Sequence, residues 1–359
     1  MGIIARNILF FGLATILSDG LDLSNKVIPT RKTSLQSTVP SETPAHKAIR
    51  DEQVELQNGV SMQVMSCVPT QKTDKPTLLF LHGSFHAAWC WAEHFIPFFV
   101  SKGYPVVAPS WRGTGGTKAG EGVKKVKIME HVSDLESLLD MLPEIVGSES
   151  KPVIICHSFG GLAVMKLLER YPDKASKLGG IVTMCSVPPS GNGKLTMRYL
   201  RRSLRDSYKI TAGFAMQKCL RDASLCRELF FGGEKRVLDD GEVENYGISD
   251  EDVSRYQSYF ARDSEATIDL IDLAKQLPSS KATDGEAPFV GSLPPCLVMG
   301  GKDDFIVDSE GVEETATYFG LQEPLIVDSP HDVMLGRKWT NAANALEQWL
   351  QEKVVGRTD

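Results

Sequence analysis

The sequence has no excess of positive charge: 39 Lys and Arg stand against 46 Asp and Glu, leaving a net charge of −7. A polyanion gains no general attraction to such a chain, which sets nucleic acid aside as a partner. The seven cysteines never fall in the C-x-x-C spacing of zinc and redox sites, and no other metal-ligand spacing is present, so no metal is assigned. The G-x-G-x-x-G spacing of a dinucleotide site is missing together with its later ribose-binding acid, so no cofactor is assigned either. There is no internal repeat. No apolar run reaches the roughly 18 residues that a membrane-spanning helix needs.

What remains is an ordinary globular composition, 42% hydrophobic and 24% charged, over 359 residues. That length can bury a large core and carry one catalytic domain with an insertion. At the N-terminus, Arg6 precedes the apolar run ILFFGLATIL (residues 8–17), which has the length of a signal-peptide core. Ser18-Asp19-Gly20 offers no small-x-small cleavage site, and Met1-Gly2 lacks the downstream Ser or Thr of a myristoylation signal. Residues 1–20 are thus read either as a targeting or membrane-surface segment, for a secretory, organellar or membrane-associated protein, or as a simple appendage of a cytoplasmic one. Residues 24–45 are rich in Ser, Thr, Lys and Pro and read as a flexible linker. Cys219 and Cys226 are close enough in sequence to bridge in an oxidising compartment.

Beyond the linker, Asn58-Gly59 inside VELQNGVSMQV predicts a tight hairpin between two antiparallel strands. Short continuous apolar runs (TLLFLHG, PVVAPS, PVIICHS, GGIVTMC, PCLVMGG, PLIVDS) then alternate with amphipathic stretches at residues 91–102, 128–142, 162–171 and 339–351. This pattern predicts an α/β fold with a mostly parallel central sheet and helices on both faces. The rhythm breaks over about a hundred residues that hold helical stretches and no convincing buried strand, which reads as an inserted helical cap. The organisation is therefore residues 1–50 as segment and linker, 51–186 as the first part of the core, 187–288 as the cap, and 289–359 as the rest of the core. In the cap, Met197, Leu200, Leu204 and Tyr208 fall on one helical face, with Arg198, Arg201, Arg202 and Arg205 around them. Such a helix is either a solvated face or a surface for lipid head groups.

The segment VIICHSFGGLAVMKLLERYP carries the chemistry. A buried strand runs into Cys156-His157-Ser158-Phe159-Gly160-Gly161 and a helix starts at once. A serine on so sharp a turn needs small residues two before and two after it, which Cys156 and Gly160 supply. Its hydroxyl then lies at the positive end of the helix, where a developing anion is stabilised. The plainer alternative is a helix N-cap. This strand, elbow and helix resemble the α/β-hydrolase family, whose elbow is usually G-x-S-x-G; the likeness runs from about residue 51 to residue 355 apart from the cap, and Cys156 stands where the first glycine would be. The resemblance implies a nucleophile at Ser158 and the chain order Ser, acid, His. His331 alone of the seven histidines follows Ser158, which makes it the general base. The family's Gly-x-x-Asp-x-x-Val form matches Gly301, Asp304 and Val307 and names Asp304 as the acid, with Asp303 the alternative.

The same resemblance implies two backbone donors for the oxyanion, at Phe159 and at Ser84, with Phe85 next, in the loop HGSFHAAWCW. His82 is read as bracing that loop; neither His82 nor His86 is favoured as an acid or base. APSWRGTGGT resembles a structural turn of relatives. Dehalogenase-like and epoxide-hydrolase-like relatives carry Asp at the elbow, and peroxidase-like ones a Trp after the serine; here the residues are Ser158 and Phe159. The implied activity is a serine hydrolase (esterase- or lipase-like) acting on a small-molecule carboxylic ester, thioester or lysolipid. The alternatives are a ligand receptor or a lyase on the same fold. Phe214, Met216, Phe230 and Tyr259 line an acyl pocket or pack the cap's own core.

Overall fold

The computed structural model describes residues 48–356, apart from residues 215, 234–235, 238–239, 242 and 245–247. The expectations for the apolar segment at residues 1–20 and for the linker lie outside the described residues. Among the described residues, no helix is long and apolar enough to cross a membrane.

The chain opens with β1 (Arg50–Glu55) and β2 (Ser61–Cys67), paired antiparallel. Gly59, at φ +83°, turns the chain between them, as the Asn-Gly pair requires. Next come β3 (Leu78–Leu81), α1 (Trp89–Ala92), α2 (Phe95–Ser101), β4 (Val106–Pro109), α3 (Ile128–Val146), β5 (Val153–His157), α4 (Phe159–Arg170) and β6 (Gly180–Met184). After a helical region follow β7 (Cys296–Gly301), α10 (Ser309–Tyr318), β8 (Leu325–Val327) and α11 (Trp339–Leu350). The strands form one sheet in the order β1-β2-β4-β3-β5-β6-β7-β8, and β2 alone runs against the others. Every residue of β3, β4, β5 and β6 is buried, because helices cover both faces of a parallel sheet and leave its strands no polar side.

Two helices differ from the sequence reading. Residues 89–101 form α1 and α2 rather than one helix from residue 91. Pro97 cannot donate a hydrogen bond and would clash with the Glu93 carbonyl inside a continuous helix, so the chain restarts with Pro97 in a first turn, where no N–H is needed. Conversely, α4 starts at Phe159, not residue 162. The glycines that look like loop residues lie inside its first turn because the neighbours leave no room: a Cβ on Gly161 would sit 1.9 Å from Ser186 Oγ.

Between β6 and β7 lie α5 (Gly191–Arg202), α6 (Leu204–Phe214), α7 (Ala223–Phe230), α8 (Asp250–Arg262) and α9 (Leu270–Ala274). A two-residue strand, Thr267–Ile268, pairs with Lys125–Val126 ahead of α3. The helix expected through residues 197–208 breaks at Ser203, whose backbone is extended. Its apolar residues do not form a buried face, and one of its arginines is largely withdrawn from water. Leu204 and Tyr208 are 75% and 60% exposed, whereas Arg198 grips Asp308 at the start of α10 through two hydrogen bonds of 2.7 and 2.6 Å. Arg202 joins the same carboxylate at 3.0 Å. The two arginines therefore bind the helical region to the sheet domain instead of facing only solvent. Cys219 and Cys226, close enough in sequence to bridge in an oxidising compartment, are both buried free thiols here, and Cys219 Sγ donates to the Gly213 carbonyl at 3.0 Å.

Candidate active site

Strand β5, central in the sheet, delivers Ser158 just beyond its C-terminal end in a conformation that side chains rarely take, φ +52° and ψ −119°. Close packing enforces that turn. A Cβ on Gly83 would lie 2.7 Å from Ser158 Cβ, and one on Gly160 would lie 3.0 Å from the carbonyl oxygens of both Leu81 and His82. Cys156 fits in place of the usual glycine because its thiol stays within the sheet and donates to the Val182 carbonyl at 3.3 Å. Ser158 starts α4, yet its side chain makes no capping bond.

The hydroxyl faces His331 instead, with Oγ 3.2 Å from Nε2. On the far side of the ring, Nδ1 lies 3.0 and 2.9 Å from the two oxygens of Asp304. Carboxylate and imidazole are both withdrawn from water, with side-chain exposures of 0% and 2%. Asp304 is fixed in turn by the backbone N–H groups of Ile306 and Val307, which donate to Oδ1 at 2.8 and 2.9 Å. The spacing from Asp304 to Val307 is thus a carboxylate-holding turn. The neighbouring Asp303 donates its backbone N–H to the Ser329 carbonyl at 3.2 Å. Burial acts to depress the basicity of His331, but the Asp304 carboxylate and its hydrogen bond, with Asp332 behind, outweigh it and leave the imidazole raised above its ordinary 6.5. The Cys185 thiol neighbours Asp304, and burial together with that carboxylate pushes it well above its ordinary value, so it stays protonated.

The two backbone N–H groups that the sequence names as oxyanion donors, at Phe159 and Ser84, make no backbone hydrogen bond among the described residues. That of Phe159 opens α4 and has no intrahelical acceptor. Among the described residues, no backbone carbonyl accepts from the N–H of Ser84. His82 braces their loop: Nδ1–H donates to Gly83 O at 2.8 Å and Nε2 accepts from the Trp111 N–H at 3.0 Å. That pattern requires a neutral ring, consistent with burial driving its pKa down to about 3.

Two groups beside this site carry no signal of their role in the sequence motifs. His157 donates from Nε2 to the His331 carbonyl at 2.9 Å, and burial, with His331 and His86 nearby, holds its ring well below the usual imidazole range. His86 meets Asp332 at 2.9 Å, across a sequence separation of 246 residues. The adjacency of Asp332 to His331 is the one sequence feature that points there. The site is largely shielded from water: Ser158 is 7% exposed, and an aromatic series links the Ser84 loop to the base, from Phe85 to Phe214 (5.3 Å between ring centres), on to Phe230 (5.7 Å) and then to His331 (6.3 Å).

Comparison with known proteins matches this architecture. The model of the alpha/beta hydrolase family covers residues 78–343. The chain is 32% identical over 99 residues to a methyl jasmonate esterase of Vitis vinifera, a stretch covering 27% of this chain and 35% of the relative. It is 29% identical over 137 residues to epoxide hydrolase A of Mycobacterium tuberculosis, covering 37% of this chain and 40% of that protein. These matches thus span well under half the length of either curated relative. A structure described as a putative lipase from Acinetobacter baumannii superposes with a TM-score of 0.58 at 15% identity, over 87% of this chain and 94% of that one. With a family model matched over most of its length, on an eight-stranded sheet that carries Ser158 at the elbow, the chain belongs to the alpha/beta hydrolase family.

Proposed function

We propose that the chain is a serine hydrolase that cleaves carboxylic esters with an apolar group, through an acyl-enzyme on Ser158. The observation that carries this reading is the unbroken hydrogen-bonded line from Ser158 Oγ through His331 to Asp304. A serine hydroxyl becomes nucleophilic only when a base removes its proton as it attacks. His331 Nε2 takes that proton while Oγ bonds to the ester carbonyl carbon, and the carbonyl oxygen turns toward the N–H groups of Phe159 and Ser84. His331 then returns the proton to the departing alcohol as the carbon–oxygen bond breaks. Water, deprotonated by the same nitrogen, releases the acid and restores the serine. Asp304 holds the ring in the required tautomer and stabilises the imidazolium.

The relatives named for epoxide hydrolysis favour a different use of the fold, but the elbow residue argues against it here. A carboxylate that opens an epoxide leaves an ester, which water can cleave; a serine would leave an ether, which this site has no means to hydrolyse. Ester cleavage agrees with the relative named as a methyl jasmonate esterase. The series of Phe85, Phe214 and Phe230 favours an apolar acyl or alcohol group, since a polar one would lose its hydration there unpaired.

The test is labelling by a fluorophosphonate probe, followed by a series of p-nitrophenyl esters of increasing acyl length. Wild type is expected to label and turn over, and Ser158→Ala and His331→Ala are expected to do neither. A folded wild type that ignores both reagents would overturn the reading and leave a ligand receptor on this fold.

A further inference from the structure

His86 lies outside the line from Ser158 to Asp304, yet it is as deeply buried, 1% exposed, and its partner Asp332 is 0% exposed. The ring spans two acceptors. Nδ1 lies 2.7 Å from the Ser84 carbonyl, which can only accept, so Nδ1 carries a proton and donates it. Nε2 lies 2.9 Å from Asp332 Oδ2, and one proton is shared between them. The other oxygen, Oδ1, has no hydrogen-bond partner among the described residues. His157 Nε2 is 3.9 Å from it, but that nitrogen is committed to the His331 carbonyl. A half-satisfied carboxyl deep in a core is a poor way to gain stability, because an apolar pair of similar shape does as well or better. Such a group is better explained by what it connects.

One end of the pair is the oxyanion loop. In a trans peptide the Ser84 carbonyl and the Phe85 N–H point in opposite directions, so fixing that oxygen against His86 fixes the plane of that peptide, and the Ser84 N–H, which belongs to the preceding peptide, is held through the shared Cα of Ser84. It also helps hold Phe85 at φ +67°, an unfavourable conformation for a bulky residue. The other end is the loop of the base, since Asp332 directly follows His331 and its own N–H is tied to the Phe230 carbonyl at 2.9 Å. The two loops are far apart in sequence, and this pair joins them directly beside the site.

We propose that the His86–Asp332 pair is a positioning latch that ties the oxyanion loop to the loop carrying His331, so that the second oxyanion donor and the base stay in register as the substrate carbonyl becomes tetrahedral. The proposal rests on the ester-hydrolase reading above. Neither residue touches the reacting atoms in this role; both act through the Ser84–Phe85 peptide and the His331 loop. An oxyanion donor matters more in the transition state than in the bound substrate, so losing the latch lowers kcat and spares KM.

The experiment compares two variants with wild type on p-nitrophenyl butyrate. The double variant His86→Phe/Asp332→Leu keeps the shape and removes every polar contact, so it is expected to melt within about 4 °C of wild type. Its kcat is expected to fall roughly 10- to 100-fold, less than for outright removal of an oxyanion donor, with KM changed no more than about twofold. Asp332→Asn can preserve the relay, its amide N–H donating to Nε2 while Nδ1–H still donates to Ser84, and is expected to recover kcat to within about fivefold of wild type. A folded double variant with kcat within about threefold of wild type, or a loss carried by KM, would overturn the latch. So would an Asp332→Asn variant as impaired as the double one. Should wild type neither label nor turn over, the ester-hydrolase reading fails, and hydrogen exchange then tests the latch alone: the double variant must lose protection together in residues 82–90 and 329–336, and unchanged protection there refutes it.

Discussion

The sheet and the helical region between β6 and β7 share one apolar core, but polar contacts carry more of the border of the second. In β3 to β6 every side chain is buried, and Phe80 packs on Trp91, Phe95 and Phe99 with ring centres 4.8 to 5.8 Å apart. The helical region leaves Leu204 and Tyr208 largely in water; it joins the sheet domain through rings, Trp89 packing on Tyr256, Tyr259 and Phe260, and adds polar points: Arg198 on Asp308, Trp89 Nε1–H on Asp263 at 2.8 Å, and Arg255 on Glu93 at 2.6 Å. Burial over a continuous surface is non-directional and yields one rigid body. The charge-assisted bonds at the border of the helical region add orientation to that shared packing. The candidate site spans both regions, with Ser158, His331 and Asp304 on loops of the sheet domain and Phe214 and Phe230 supplied by the helical region.

Substitutions in the two regions should separate the shared packing from the polar contacts. The largest effect is expected at the site itself: Asp304→Asn should lower kcat by roughly 10³- to 10⁴-fold with little loss of stability, because the wrong tautomer of His331 then faces Ser158. The same variant has a pH signature. The base must be neutral to act, so kcat/KM rises as pH passes the His331 pKa, and in wild type the midpoint of that limb should lie above 6.5 because the pKa is raised. Removing the Asp304 carboxylate removes the main raising influence and leaves burial, so the limb should move to lower pH in the variant. A limb that stays in place in a pH profile would show that another group controls it.

Next in size, Phe80→Ala should cost about 3–5 kcal/mol in urea unfolding, since a packed sheet cannot close the cavity. Arg198→Ala should cost less, about 2 kcal/mol, because Arg202 still partly pairs with Asp308. Its loss should appear as faster hydrogen exchange in α5 and α6 with β5 still protected; loss of protection throughout would mean that the two regions unfold as one. Smallest of all, Leu204→Ser and Tyr208→Ser should each change stability by less than about 0.5 kcal/mol, as exposed side chains do.

Much of the fold and most of the candidate site are legible in the order of the residues. Continuous apolar strands announce a covered parallel sheet, and the small residues around Ser158 announce its elbow, because both follow from constraints on neighbours in the chain. The order of Ser158, Asp304 and His331 singles out the three side chains that the fold brings within hydrogen-bond reach. Helix ends are less legible wherever packing overrules local preference, as at Gly161, or where one proline resets a helix, as at Pro97.

The sequence by itself determined the strand pattern, the turn at Ser158 and the candidate residues, since period, turn chemistry and spacing are properties of adjacent residues. Only the tertiary structure decided that Arg198 is a clasp rather than part of a solvated face, that Cys219 and Cys226 are buried as free thiols, and that Asp304 meets the ring. It alone brought His86 to Asp332. These are contacts between segments far apart in the chain, or choices between neighbours that differ only in which way the backbone presents them. Nothing local encodes either, because the free energy that selects them comes from groups that become neighbours only when the chain has folded.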